Sequence, residues 1–101
     1  MSAFSDMNET KLYQLTDFFK ILGDPTRVKL ILLLAKGEYC VTELAEQIGA
    51  THSAVSHQVS LMRAKNLLKK RKSGKQVYYA ISNEHIGALI GAGQKCLNSK
   101  K

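Results

Sequence analysis

Glycine divides this chain more firmly than any other residue type. Gly23, Gly37 and Gly49 each close a stretch whose apolar residues recur at helical spacing, so the first two-thirds of the sequence reads as four short helices. Leu12, Leu15, Phe18, Phe19 and Leu22 mark an amphipathic helix from about Glu9 to Leu22. Asp24 can cap a second helix that has Pro25 in its first turn, where the missing N–H costs nothing, and that runs through Val28 and Ile31 to about Lys36. After a short extended link at Tyr39 to Val41, Thr42 can cap a third helix with Leu44, Ala45 and Ile48 on its buried side. Thr51 can cap a fourth, whose apolar positions Val55, Val59 and Met62 fall at i, i+4 and i+7.

The opposite face of the fourth helix carries His52, Ser53, Ser56, His57 and Ser60, which are short and polar. Two helices joined by a glycine turn, the second presenting such a face, form a helix-turn-helix pattern, although a solvated helical hairpin would read the same way. The following residues separate the two readings. Leu67 to Arg71 and Gln76 to Ile81 read as strands joined by Lys72-Ser73-Gly74-Lys75, a hairpin with a basic tip. Charge agrees: residues 47 to 83 contain Arg63, Lys65, Lys69, Lys70, Arg71, Lys72 and Lys75 and no acid, so they carry the entire net charge of +7. Such a localised field suits a polyanion, either nucleic acid or an anionic membrane surface; a wing after a helix-turn-helix selects nucleic acid.

Ser82 or Asn83 can cap a last helix from Glu84 to about Asn98, with Ile86, Leu89, Ile90 and Leu97 available for burial. Gly87, Gly91 and Gly93 weaken it, each by up to about 1 kcal/mol relative to alanine. A helix this poor needs a partner surface, and so does the first, which points to a homodimer built from both terminal helices. The expected fold is mainly α with a small β-hairpin, a winged helix-turn-helix in a single domain spanning 1–101. Within it, 1–8 lack fixed structure, 42–65 form the helix-turn-helix, 67–81 the wing and 84–98 the dimerisation helix.

No stretch approaches the ~20 apolar residues of a membrane span, and the polar first ten residues do not resemble a secretory signal, so a cytoplasmic protein with no membrane partner is expected. Two cysteines make no disulfide framework and are expected as thiols. His52, His57 and His85 lack an accompanying nucleophile or acid, and no glycine-rich phosphate loop follows a strand, so an enzyme is not expected. A winged-helix protein-interaction module is the stronger rival, but it would more often expose apolar residues where this chain has serines.

The sequence closely resembles the ArsR/SmtB winged-helix repressors from about Leu15 to Leu97. The matching stretches are Phe19-Lys20-Ile21-Leu22-Gly23-Asp24-Pro25-Thr26-Arg27, Glu38-Tyr39-Cys40-Val41-Thr42-Glu43-Leu44-Ala45, Ser53-Ala54-Val55-Ser56-His57-Gln58-Val59 and Gly74-Lys75-Gln76-Val77-Tyr78-Tyr79. The resemblance implies a symmetric dimer that represses transcription from double-stranded operator DNA and leaves it when an inducer binds. It places Ser53, Ser56, His57 and Gln58, preceded by Thr51 and His52, in the DNA-contacting part of the recognition helix. Ser53 and Ser56 suit phosphate or base-edge hydrogen bonds, Gln58 suits adenine and His57 a purine acceptor, although His57 could instead bond its helix neighbours. Lys70, Lys72 and Lys75 suit phosphates.

The resemblance also implies an inducer site on the last helix, where zinc sensors carry Asp-x-His, a His eleven residues on and Glu or His three later. This chain has Asn83, His85, Cys96 and Ser99 there. His85 and Cys96 stand roughly 16 Å apart along one helix, so only an antiparallel pair could bring His85 of one chain to Cys96 of the other. One imidazole and one thiolate fall short of the four ligands zinc prefers, whereas Cu(I) tolerates fewer. No cofactor is required, and a regulatory transition metal ion, Zn or Cu(I), is the leading expectation for the inducer. The alternative is a response to oxidants or reactive sulfur through Cys40 and Cys96. The family's second metal site, Cys-x-Cys at the start of the third helix, retains only Cys40, with Thr42 in the other place, so Cys40 reads as a buried packing residue.

Overall fold

The computed structural model describes residues 7–99. They form α1 (Glu9–Leu22), α2 (Pro25–Leu34), α3 (Val41–Ile48), α4 (His52–Ala64), β1 (Leu68–Ser73), β2 (Gln76–Ile81) and α5 (Glu84–Asn98). Of the segment expected to lack fixed structure, residues 1–6 lie outside the described residues. Asn8 is ordered as the N-cap of α1, its Oδ1 accepting from the Lys11 amide at 2.8 Å.

Caps set most boundaries. Asp24 Oδ2 accepts from the Arg27 amide at 3.1 Å, Thr51 Oγ1 from Ala54 at 3.0 Å and Asn83 Oδ1 from His85 at 2.9 Å, so each satisfies an otherwise orphaned donor. Two helix boundaries differ from expectation. Helix α2 ends at Leu34 because its last turn tightens, Lys36 donating to the Leu33 carbonyl at 3.0 Å. Thr42 does not cap α3; Cys40 occupies the N-cap position, and its amide donates to the Glu43 carboxylate at 2.9 Å. The physical reason lies one residue earlier: Tyr39 exchanges two backbone hydrogen bonds with Tyr79 of β2, at 3.1 and 2.9 Å, so the extended chain ends there and turns at once into helix.

The core lies between α2, α3, α4 and the base of the wing. Leu30, Ile31 and Leu34 meet Leu44 and Ala45, Val55, Val59 and Met62, and Leu67 and Leu68, with Ile86 the one buried residue of α5. Helix α1 buries none of its residues fully. Phe19 and Leu97 are 51% and 83% exposed, and Phe19, Leu22, Leu89, Ile90 and Leu97 line an apolar groove between the two terminal helices.

The wing is a two-stranded antiparallel sheet whose register runs from Leu68 opposite Ile81 to Ser73 opposite Gln76. Strand β1 thus reaches Ser73 rather than Arg71, leaving only Gly74 and Lys75 in the loop. Gly74 has φ 62°, and Lys75 is not in the positive-φ region, the pattern of a type II′ hairpin turn that favours glycine first. At the joint between α4 and β1, Asn66 takes a left-handed φ of 64°, and its carbonyl accepts from Ser82 Oγ at 2.7 Å.

Candidate nucleic-acid interface

Helices α3 and α4 pack through Leu44, Ala45, Val55 and Val59. Their turn closes on Gly49, whose φ of 69° suits a residue without Cβ. A second link spans the helix starts, Thr42 Oγ1 lying 3.2 Å from His52 Nε2. Both N-termini therefore stand in a fixed relation, with a small hollow between them and Val77 and Tyr79 on the inner face of the wing.

Two interleaved stripes run along α4. Val55, Val59 and Met62 face the core, while Ser53, Ser56, His57 and Ser60, at i, i+3, i+4 and i+7, are all exposed. Ser60, read from sequence as part of this face but not among the DNA contacts, is exposed in the stripe like the residues that were. Thr51 and His52 sit at the helix start, one capping Ala54 and the other beside Thr42. Gln58 differs from the rest. It is half-buried on the shoulder of the helix, and its Oε1 accepts from Arg27 Nε of α2 at 2.8 Å.

On the wing, Lys70 and Lys72 stand opposite Tyr79 and Val77, on the sheet face that borders the hollow. Lys69 and Arg71 project from the other face, and Lys75 occupies the turn. Among the described residues one ion pair forms: Arg71 grips Glu38 through Nε at 3.1 Å and Nη2 at 2.7 Å, with its guanidinium 5.3 Å from the centre of the Tyr78 ring. That grip holds the Glu38 carboxyl below the usual range and raises Arg71 further, both mainly through the hydrogen bond. Arg71 is thereby committed to bracing the wing, and Lys69, Lys70, Lys72 and Lys75 form no ion pair among the described residues.

The residues considered for an inducer are dispersed. Cys40 is buried at the start of α3, whereas Cys96 is exposed near the end of α5 and His85 is exposed in its first turn. Among the described residues no three His, Cys, Asp or Glu side chains converge as a metal site. Asn83 Oδ1 is committed to its capping bond. No helix among the described residues is long and apolar enough to cross a membrane.

A family model described as bacterial regulatory protein, arsR family, matches residues 24–70, from the start of α2 to the start of the wing. The arsenical resistance operon repressor of Escherichia coli is 42% identical over 87 residues, covering 81% of this chain and 74% of that protein. A transcriptional repressor SmtB homolog of Synechocystis is 39% identical over 80 residues, 79% of this chain but only 61% of the relative, so the chain spans part of that protein's length. Among solved structures, the homodimeric winged helix-turn-helix DNA-binding domain of Mb0332 from Mycobacterium bovis superposes with a TM-score of 0.83 at 26% identity, covering 97% of this chain and 91% of that one.

Proposed function

Since the chain belongs to the arsR family of bacterial regulatory proteins, we propose that it is a homodimeric, sequence-specific DNA-binding repressor that a soft inducer ion releases from its operator. The observation that carries the DNA reading is the outward stripe of Ser53, Ser56, His57 and Ser60 on α4, followed in the chain by a wing whose lysines form no ion pair, on a stretch without an acid. Serine hydroxyls and an imidazole can meet base edges and phosphates in the major groove, while Lys70, Lys72 and Lys75 neutralise flanking phosphates and add affinity without sequence preference. The apolar groove left open between α1 and α5 supports the dimer, and two-fold symmetry calls for a pseudo-palindromic operator with half-sites about one DNA turn apart or a multiple of it.

For the inducer we propose His85 of one protomer with Cys96 of its partner. Cys96 is the exposed thiol and Cys40 the buried one, which favours a single-thiolate site over a pair of reacting cysteines. A thiolate and an imidazole suit a soft ion such as Cu(I) better than zinc. The name of the Escherichia coli relative, an arsenical resistance repressor, supports a thiophilic signal.

The test is fluorescence anisotropy on a palindromic fragment selected from random DNA, titrated with the reduced protein and then with Zn(II), Cu(I) and a persulfide donor. Tight binding reversed by Cu(I), and not reversed in Cys96→Ser, is the expected result. Reversal by the persulfide donor alone would move the signal to thiol chemistry, and failure to select any DNA would remove the repressor reading.

A further inference from the structure

We infer that Arg27 is a specificity-determining positioning residue: by occupying the amide oxygen of Gln58, it turns Gln58 into a donor-only reader of the DNA. The inference rests on the operator-binding reading above.

Arg27 is fixed at three points. Its backbone amide donates to Asp24 Oδ2 at 3.1 Å, its Nη1 donates to the carbonyl of Ile21 in the last turn of α1 at 3.3 Å, and its Nε donates to Gln58 Oε1 at 2.8 Å. A guanidinium is a planar fork with donors only and no acceptor, so the Gln58 atom facing it must be the oxygen. The contact therefore fixes which end of the amide points inward.

The other end is left for the outside. No protein group among the described residues accepts from Gln58 Nε2, and no buried side-chain nitrogen or oxygen lacks a partner, so this amino group reaches solvent. It lies on the shoulder of α4, next to His57 and one turn from Ala54 and Met62, at the margin of the outward stripe. The positive charge at Oε1 further polarises the amide and strengthens its N–H donors.

This has a direct consequence for base reading. Glutamine grips adenine with both ends at once, Oε1 accepting from N6 and Nε2 donating to N7. With Oε1 drawn towards α2, that paired grip is broken and only donation remains. Gln58 then favours a base edge made of acceptors, such as guanine O6 and N7, or a phosphate oxygen. Because the same guanidinium also holds the α1 carbonyl of Ile21, the orientation of Gln58 is tied to the position of the helix that the dimer uses.

Selection from randomised DNA by wild type, Arg27→Met and Gln58→Glu, with the dimer verified by sedimentation, tests this. Methionine fills a similar volume but donates nothing, so Arg27→Met should free the oxygen and enrich adenine about tenfold at one position of each half-site. Gln58→Glu keeps an acceptor for Arg27 and loses the outward donors, so it should lose about tenfold in affinity for the preferred operator and flatten the preference at that same position. Arg27→Met selecting the same sequences as wild type would overturn the inference. So would a Gln58→Glu variant with undiminished preference, or one weakened evenly on every sequence, which would report charge repulsion alone; this variant decides the matter if Arg27→Met does not fold. A wild-type protein that selects no sequence removes the operator reading itself, whereas selection by wild type together with unchanged variants removes only the role of Arg27.

Discussion

The middle of the chain and its two ends satisfy opposite conditions. From α2 to β1, every helix contributes fully buried residues, and Leu30, Ile31, Leu44, Val55, Val59 and Met62 have no exposed surface at all. Helix α1 buries nothing fully and α5 buries only Ile86, while Tyr13, Leu15, Phe19 and Leu97 remain exposed. One chain thus completes its candidate reading face alone but leaves its terminal helices unfinished. The contrast separates two roles that a small domain must combine. The unit proposed to read DNA takes its rigidity from its own core, whereas the ends keep the apolar surface assigned to the proposed dimer.

That division can be broken at its weakest point first. Phe19→Glu places a charge in the apolar groove without touching the core, and sedimentation should show monomers whose operator affinity falls by at least about a hundredfold, through loss of the second half-site. A variant that stays dimeric would place the interface elsewhere. Next in size, Leu44→Ala should destabilise by about 3 kcal/mol in denaturant titration, since it opens a cavity at a fully buried site. Leu97→Ala should act only through a concentration-dependent midpoint, and equal costs at the two sites would erase the contrast. Within the reading face itself, Ser56→Ala with His57→Ala should cost about tenfold in operator affinity and relax base preference. Lys72→Ala with Lys75→Ala should weaken all sequences alike, reducing the salt slope by about one per lysine, and a sequence-selective loss there would contradict the phosphate role.

The smallest effect belongs to the wing brace. Arg71 holds the Glu38 carboxyl below its usual range, so the pair's contribution is present at neutral pH and lost as pH falls through that lowered value. Wild type and Glu38→Gln should therefore differ slightly in thermal midpoint at neutral pH and converge in acid. Both groups are well exposed, which keeps the difference small. A difference that grows on acidification would assign the brace to some other contact.

Local chemistry was legible in the sequence and distant pairing was not. Asp24, Thr51 and Asn83 announce helix starts because a cap acts within three residues, and the stripe of α4 follows from a fixed angular period. The start of α3 escaped this reading, since Thr42 looks like a cap and only the bridge between Tyr39 and Tyr79 moves the boundary to Cys40. Gln58 is assigned to the DNA-contacting part of the recognition helix by resemblance alone. Its position three residues beyond Val55 and four before Met62 already placed it at the edge of the buried stripe, but its partner Arg27 is 31 residues away, and no periodicity reports such a contact. The same holds for Glu38 and Arg71, 33 residues apart: the basic run was visible, but not which of its members is already neutralised.

Strand β2 is shielded on one side by its bond to Tyr39, but the far edge of β1 has no partner among the described residues. An open row of amides and carbonyls invites a strand from another molecule, and charge is the usual deterrent. Lys69, Lys70, Arg71 and Lys72 occupy four of the six positions of β1, so Lys70 and Lys72, proposed to approach phosphates, belong to the same row of charge that disfavours pairing along this edge. Stripping charge from the wing should then cost solubility as well as affinity, and any variant that loses it must be weighed by its aggregate content before its failure on DNA is interpreted.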